Sequence, residues 1–155
     1  TLFLPYLGGE RTPHNDSVVR ASFLNLDHGT DRCAMTRAVI EGVTFALRDS
    51  FDALTSTGTK IERLIAVGGG SKSEYWVQAI ATTLGLPISI PTSGDFGGAF
   101  GAARLGMMAA GGSPLDVATT PKIVRVIDPI PSLQDDFLTG LSSYRAAYRA
   151  LKILT

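Results

Sequence analysis

The sequence predicts an α/β fold, and three observations predict it. Two short apolar runs, residues 61–67 and 87–91, flank a helical pattern over residues 74–84. Long helical patterns over residues 31–56 and 133–153 stand on either side of that unit, each with its own apolar stripe. Turn formers separate these segments, notably Gly58, Gly68-Gly69-Gly70, Gly85, Gly111-Gly112, Pro129 and Pro131. Strand, helix, strand is a crossover unit, so its two strands should be parallel and adjacent, with a right-handed connection.

Each element has a local reason. Residues 1–6 read as a short apolar strand stopped at Pro5. The next stretch, Gly8-Gly9-Glu10-Arg11-Thr12-Pro13-His14-Asn15-Asp16, is rich in turn formers and reads as a solvated loop held by its own side-chain hydrogen bonds. His14 has only His28, in another loop, as a companion, and without a Cys/His cluster no metal site is expected. Residues 21–26 form a second strand, and Thr30 or Asp31 caps the helix that follows. Val39, Val43, Leu47, Phe51 and Leu54 step by fours and threes along that helix as its core stripe. Arg37 and Glu41, four apart on it, read as surface support. Gly58 ends it.

The strand over residues 61–67 feeds the three glycines. Ser71, with Glu74 three residues on, has capping-box spacing for the helix over 74–84. Trp76, Ile80 and Leu84 share one face of it, with Trp76 packing the helix on the sheet. After the second strand, Thr92, Ser93, Gly94, Asp95 and Phe96 begin a loop that becomes a helix of very small residues through Gly98 and Gly101. Each glycine weakens such a helix by about 1 kcal/mol relative to alanine, so something should approach its backbone closely: a packed helix first, a ligand second. Ser113-Pro114 opens a short helical turn, and residues 123–127 are strand-like. The last helix carries Leu133, Phe137, Leu141, Tyr144, Tyr148 and Leu151 in a stripe, with acids early and bases late, as the helix dipole favours.

At 155 residues the chain is one domain or a piece of a larger one. With 14 basic and 14 acidic residues the formal charge is zero, so there is no basic field for nucleic acid or a membrane surface. The single cysteine, Cys33, suits a reducing cytosol. No apolar run reaches membrane-spanning length and no signal peptide is recognisable. Thr1 opens on a strand already under way, so the N-terminus is expected to be a cut through a larger protein.

The stretch with the most chemistry is Val67-Gly68-Gly69-Gly70-Ser71-Lys72-Ser73. A strand, a glycine turn and a helix can cradle a phosphate or nucleotide on free N–H groups with the helix dipole behind them. The same pattern also serves a tight turn that needs glycine for geometry alone, and both readings stand. A Walker A loop needs Gly directly before Lys-Ser, whereas Ser71 precedes Lys72-Ser73 here. A Rossmann fingerprint needs a third glycine where Ser73 stands and an acid after the next strand, and the first acid, Asp95, comes too late. A dinucleotide site is left as an alternative.

Three stretches, taken in order, carry a resemblance. They are Phe3 through Pro13-His14-Asn15; Ala21 through Arg37-Ala38-Val39-Ile40-Glu41-Gly42; and Gly68-Gly69-Gly70-Ser71-Lys72-Ser73-Glu74-Tyr75-Trp76 with Gly101-Ala102-Ala103-Arg104-Leu105. Together they resemble the C-terminal part of the FGGY family of carbohydrate kinases, across residues 1–105. Two positions depart from the pattern: Asn25 stands where the family usually has Gly, and Ala34 where it usually has a polar or acidic residue.

The resemblance implies an actin-like, ribonuclease-H-like ATPase fold of two domains around a cleft. ATP would lie mainly on the second domain, to which this chain would belong, and the sugar mainly on the first. It implies phosphorylation of a sugar, D-xylulose, by ATP with Mg2+ in a cytoplasmic protein, and it admits a homodimer. The alternatives are a kinase of the same family for another sugar or polyol, a non-catalytic nucleotide-binding module, and a fragment of a dinucleotide-dependent oxidoreductase. The loop matching Gly68, Gly69, Gly70 and Ser71 would meet the phosphate and ribose side of the nucleotide. Glu74 would lie near the adenine, at a position where many members have Asn. The family's base is an Asp in a Gly-x-Gly-Asp type motif, which does not occur here. No catalytic residue and no metal ligand is therefore assigned, Asp95 and Glu10 are not promoted to a base, and the chain alone is expected to be inactive.

Overall fold

The computed structural model describes residues 1–92 and 97–154. The expected loop over Ser93, Gly94, Asp95 and Phe96 lies outside the described residues. Strand β1 (Leu2–Leu4) pairs antiparallel with β2 (Ser22–Leu24), Phe3 opposite Phe23. The 25-residue helix α1 (Arg32–Ser56) follows, its first turn capped by Asp31, whose carboxylate accepts the Ala34 N–H at 2.7 Å. Next come β3 (Leu64–Ile65), α2 (Glu74–Leu84) and β4 (Ile88–Pro91). After α3 (Gly98–Ala109) and α4 (Pro114–Val117), β5 (Ile123–Ile127) returns to the sheet, and α5 (Gln134–Lys152) closes the chain.

The larger sheet has the order β3-β4-β5. β3 and β4 are parallel and adjacent, as the crossover pattern requires, and β5 is antiparallel to β4. The first strand of the crossover is shorter than its apolar run, two residues within 61–67. α2 ends at Gly85, which takes the left-handed conformation (φ 71) that terminates helices.

Two cores flank α1. Leu4, Tyr6, Val19, Phe45, Leu141, Tyr144 and Tyr148 form the first, between the small sheet, α1 and α5. Val77, Ala81, Ile88 and Ile127 form the second, between α2 and the larger sheet. The face that α1 buries is not the expected one. Ala38, Gly42, Thr44, Phe45 and Asp49 are buried, whereas of the expected stripe Val39, Val43 and Phe51 are half-buried and Leu47 and Leu54 are exposed. The reason is a close approach: β1 crosses α1 so tightly that a Cβ on Gly42 would collide with the carbonyl oxygen of Phe3. Only a face opened by small residues admits that crossing, and apolar bulk elsewhere on the helix cannot compete for it.

The stripe of α5 behaves as expected at Leu141, Tyr144 and Tyr148, while Leu133 precedes the helix and is 40% exposed. The packed helix expected over the small residues of α3 is not found among the described residues. Added Cβ atoms at Gly98 and Gly101 would meet open space, and α3 lies chiefly against α4. Asn25 has φ 57, a left-handed conformation that Gly and Asn adopt with least strain, so asparagine is suited to the turn here.

The first core is pinned by one buried polar contact. The Tyr144 hydroxyl donates to the Tyr6 hydroxyl at 2.6 Å. Burial raises the Tyr6 phenol to about 12, against the lowering effect of the Tyr144 hydrogen bond. The folded value lies above the unfolded value of about 10, so this contribution to stability is intact below about pH 10 and is lost as the pH rises towards 12. Tyrosinate absorbance and melting temperature across that range should fall out of the folded baseline together. Tyr144→Phe, which leaves the Tyr6 oxygen without its donor, should cost about 1–3 kcal/mol in urea unfolding.

Candidate functional site

The glycine loop begins where β3 stops pairing. Ala66 still donates to Ser89 O at 3.0 Å, and the chain then turns at Gly68, whose φ of 87 is the region glycine enters without strain. Residues Gly69–Lys72 form a single 3-10 turn. Gly68 O accepts both the backbone N–H and the hydroxyl of Ser71, at 3.1 and 2.7 Å. The N–H groups of Gly69 and Gly70 lie ahead of that first bond and have no acceptor within the turn. Ser73, not Ser71, caps α2: its hydroxyl oxygen accepts the Trp76 N–H at 3.4 Å. The Ser71–Glu74 capping box is thus corrected, because Ser71 is spent inside the preceding turn.

The loop has two unlike sides. A Cβ on Gly69 would meet no atom of the described residues within 4 Å, so among them this side is open. A Cβ on Gly70 would stand 2.5 Å from Cζ3 of Trp76. The indole lies against the loop, a contact not foreseen from the sequence, and its Nε1 is buried with no partner among the described residues. Glu74, in the first turn of α2, is exposed and pairs with Arg125 of β5 at 3.0 Å. The structure therefore brings Gly68, Gly69, Gly70 and Ser71 into one turn and sets Glu74 just beyond it, facing β5.

Beside the loop, at the C-terminal ends of the parallel strands, is a crevice of about 280 Å³. Val67, Pro91, Thr92, Phe100, Arg104 and Lys122 are among its walls. Open α/β sheets bind ligands at this end of their parallel strands. The Arg104 guanidinium sits 4.2 Å from the Phe100 ring centroid and donates to Thr119 Oγ1 at 3.1 Å, which holds one cation at the rim. Backbone N–H groups with no acceptor in their own turn, a helix start and a crevice that carries Arg104 and Lys122 in its walls fit a phosphorylated ligand lying on the main chain. No group of three or more His, Cys, Asp or Glu that could hold a metal occurs among the described residues.

A second polar cluster went unforeseen. Arg145 of α5 donates to Asp49 at 2.6 Å and to Asp52 at 2.6 Å, and Arg48 donates to Asp52 at 2.7 Å and to Thr83 O at the end of α2. Burial would raise the Asp52 carboxyl, but the two guanidinium groups override it and hold it below the usual carboxylate range. His14 stacks on Tyr148, ring centroids 3.8 Å apart, with its Nε2 3.9 Å from Asp49. The loop over Gly8–Asp16 is held largely as expected: Glu10 accepts the His14 N–H, and Asp16 accepts those of Val18 and Val19. Glu10 is thereby occupied inside its own loop. The spacing of Arg48 and Asp52 was a legible signal for part of this cluster; the arrival of Arg145, 93 residues from Asp52, had none.

Residues 1–110 match the model of the FGGY family of carbohydrate kinases, C-terminal domain. The xylulose kinase of Escherichia coli K12 is 39% identical over 132 residues, covering 85% of this chain and 27% of that protein. The crystal structure of a "xyloylose kinase" from Brucella ovis superposes with a TM-score of 0.88 at 52% identity, covering 99% of this chain and 32% of that one. The xylulose kinase of Rhodospirillum rubrum gives a TM-score of 0.79 at 26% identity, over 99% of this chain and 31% of that one. The chain thus spans about a third or less of the proteins it matches.

The Asp49–Arg145–Asp52 cluster is expected to be structural, with each charge dependent on its partner. Arg145→Ala strips a buried carboxylate of its cation and should lower stability by about 1–3 kcal/mol, checked by urea unfolding. Because the Asp52 value is depressed in the fold, its contribution is present above the unfolded value of about 3.9 and is lost as the pH falls through the folded one. Acid unfolding of Asp52→Asn should be correspondingly less steep.

Proposed function

The chain belongs to the FGGY family of carbohydrate kinases, and we propose that it forms the ATP-side portion of a kinase that phosphorylates D-xylulose. The observation that carries the reading is the one-sided glycine turn at the end of a parallel strand pair, open at Gly69 and backed at Gly70. The sugar is chosen from the relatives, several of which are xylulose kinases.

Under this reading the N–H groups of Gly69 and Gly70, with the start of α2 behind them, meet the phosphate and ribose side of the nucleotide. Ser71 holds the turn closed through Gly68 O, so the donors are set before the ligand arrives. Glu74 stands on the adenine side, with Arg125 against it. ATP supplies the phosphoryl group and Mg2+ arrives with its phosphates. Under this reading the base and the sugar-holding domain belong to another part of the full-length protein, and no metal ligand is assigned in this chain. The exposed free thiol of Cys33 fits the cytoplasm, where ATP is available.

Two outcomes follow. The purified chain, given MgATP and xylulose, should release no ADP above background; sugar-dependent turnover would show that the catalytic groups are misassigned. In the full-length protein, Gly69→Val should raise the KM for ATP about tenfold or more while the KM for the sugar stays nearly constant. Gly69 has no positive φ and open space at its Cβ, so the melting temperature should hold. An unchanged KM for ATP, or an unfolded variant, would withdraw the nucleotide assignment.

A further inference from the structure

We infer that Trp76 is the positioning residue of the glycine loop: its six-membered ring fills the space behind Gly70 and makes the Gly69 face the one a nucleotide meets. The inference rests on the nucleotide reading above. Three consecutive glycines have the largest backbone freedom of any tripeptide, and no side chain of their own fixes how their peptides point. Something outside the loop must orient the Gly69 and Gly70 N–H groups. Ser71 clamps the far end of the turn through Gly68 O, at 2.7 Å. Gly70 is left to Trp76.

The fit is specific to tryptophan. A Cβ on Gly70 would lie 2.5 Å from Cζ3, 3.1 Å from Cε3 and 3.4 Å from Cη2, and of these Cζ3 and Cη2 stand farther from the backbone than any ring atom of phenylalanine. The ring cannot easily withdraw. Its own backbone N–H is tied to the Ser73 cap, and the next residue, Val77, is buried in the second core. Glycine at 70 and tryptophan at 76 are therefore one device: the first makes room, the second occupies it. Fixing a loop in its binding conformation raises affinity by lowering the ordering cost on binding.

The test uses the full-length protein, with Trp76→Phe, Gly70→Ala, their double variant and Gly69→Val, each assayed for KM of MgATP, KM of xylulose and melting temperature. Trp76→Phe should raise the KM for ATP about five- to tenfold with the sugar KM within about twofold. Gly70→Ala should do the same and lower the melting temperature. The double variant should be less damaged than the two single effects added, since the shortened ring vacates the space the new methyl needs. Additive effects, or a Trp76→Phe that loses stability with its ATP KM unchanged, would overturn the proposal. If Trp76→Phe does not fold, Gly70→Ala decides, because with the indole in place its methyl must displace the turn; an unchanged ATP KM then sinks the idea. A selective ATP effect in Gly69→Val without one in Trp76→Phe removes only the role of Trp76. No effect in either removes the nucleotide reading with it.

Discussion

The close crossing of β1 over α1 at Gly42 is the contact on which the rest of the structure depends. It selects which face of a 25-residue helix becomes interior. With Gly42 under Phe3, the residues three and seven positions on, Phe45 and Asp49, are carried inward as well. Phe45 then joins the tyrosines of α5 in the first core, and Asp49 stands ready for Arg145. One turn away, Arg48 reaches the carbonyl of Thr83 at the end of α2. A single helix thereby ties the small sheet, the C-terminal helix and the crossover unit together.

That arrangement explains why so polar a cluster is found inside. Asp49 is 5% exposed, and an isolated carboxylate at that depth would be heavily penalised. Arg145 neutralises it and extends to Asp52, while Arg48 completes the chain of charges. The cluster holds α1, α2 and α5 in register more than it supplies net stability, since such pairs roughly offset their own desolvation. It also seats His14, which stacks on Tyr148 while most of the polar loop over Gly8–Asp16 stays exposed.

The three glycines of the loop answer to three different constraints. Gly68 is needed for a positive φ, Gly70 for the indole of Trp76, and Gly69 for neither. Geometry alone thus accounts for two of them. The third is unexplained by anything within the described chain, and it follows shortly after Val67, which lines the crevice at the end of the parallel strands. The choice between a mere turn and a cradle comes down to that residue. A side chain at Gly69 would meet no described residue, which is what the proposed nucleotide contact requires of that position.

The sequence by itself determined the element types, their order and the parallel pairing of β3 with β4, because periodicity, caps and glycine breaks are local signals. It also determined the family, through three motifs in order. It located the loop at Gly68–Ser71, but it assigned the cap of α2 to Ser71, since spacing cannot tell which of two serines is already engaged in a turn. Only the tertiary structure decided which face of α1 is buried, because a close backbone crossing outweighs the count of apolar residues. It alone placed Trp76 on Gly70 and Arg145 on Asp49. Both are pairings in which shape or charge is matched between separate elements, and a linear pattern carries no record of what will stand opposite a residue once the chain has folded.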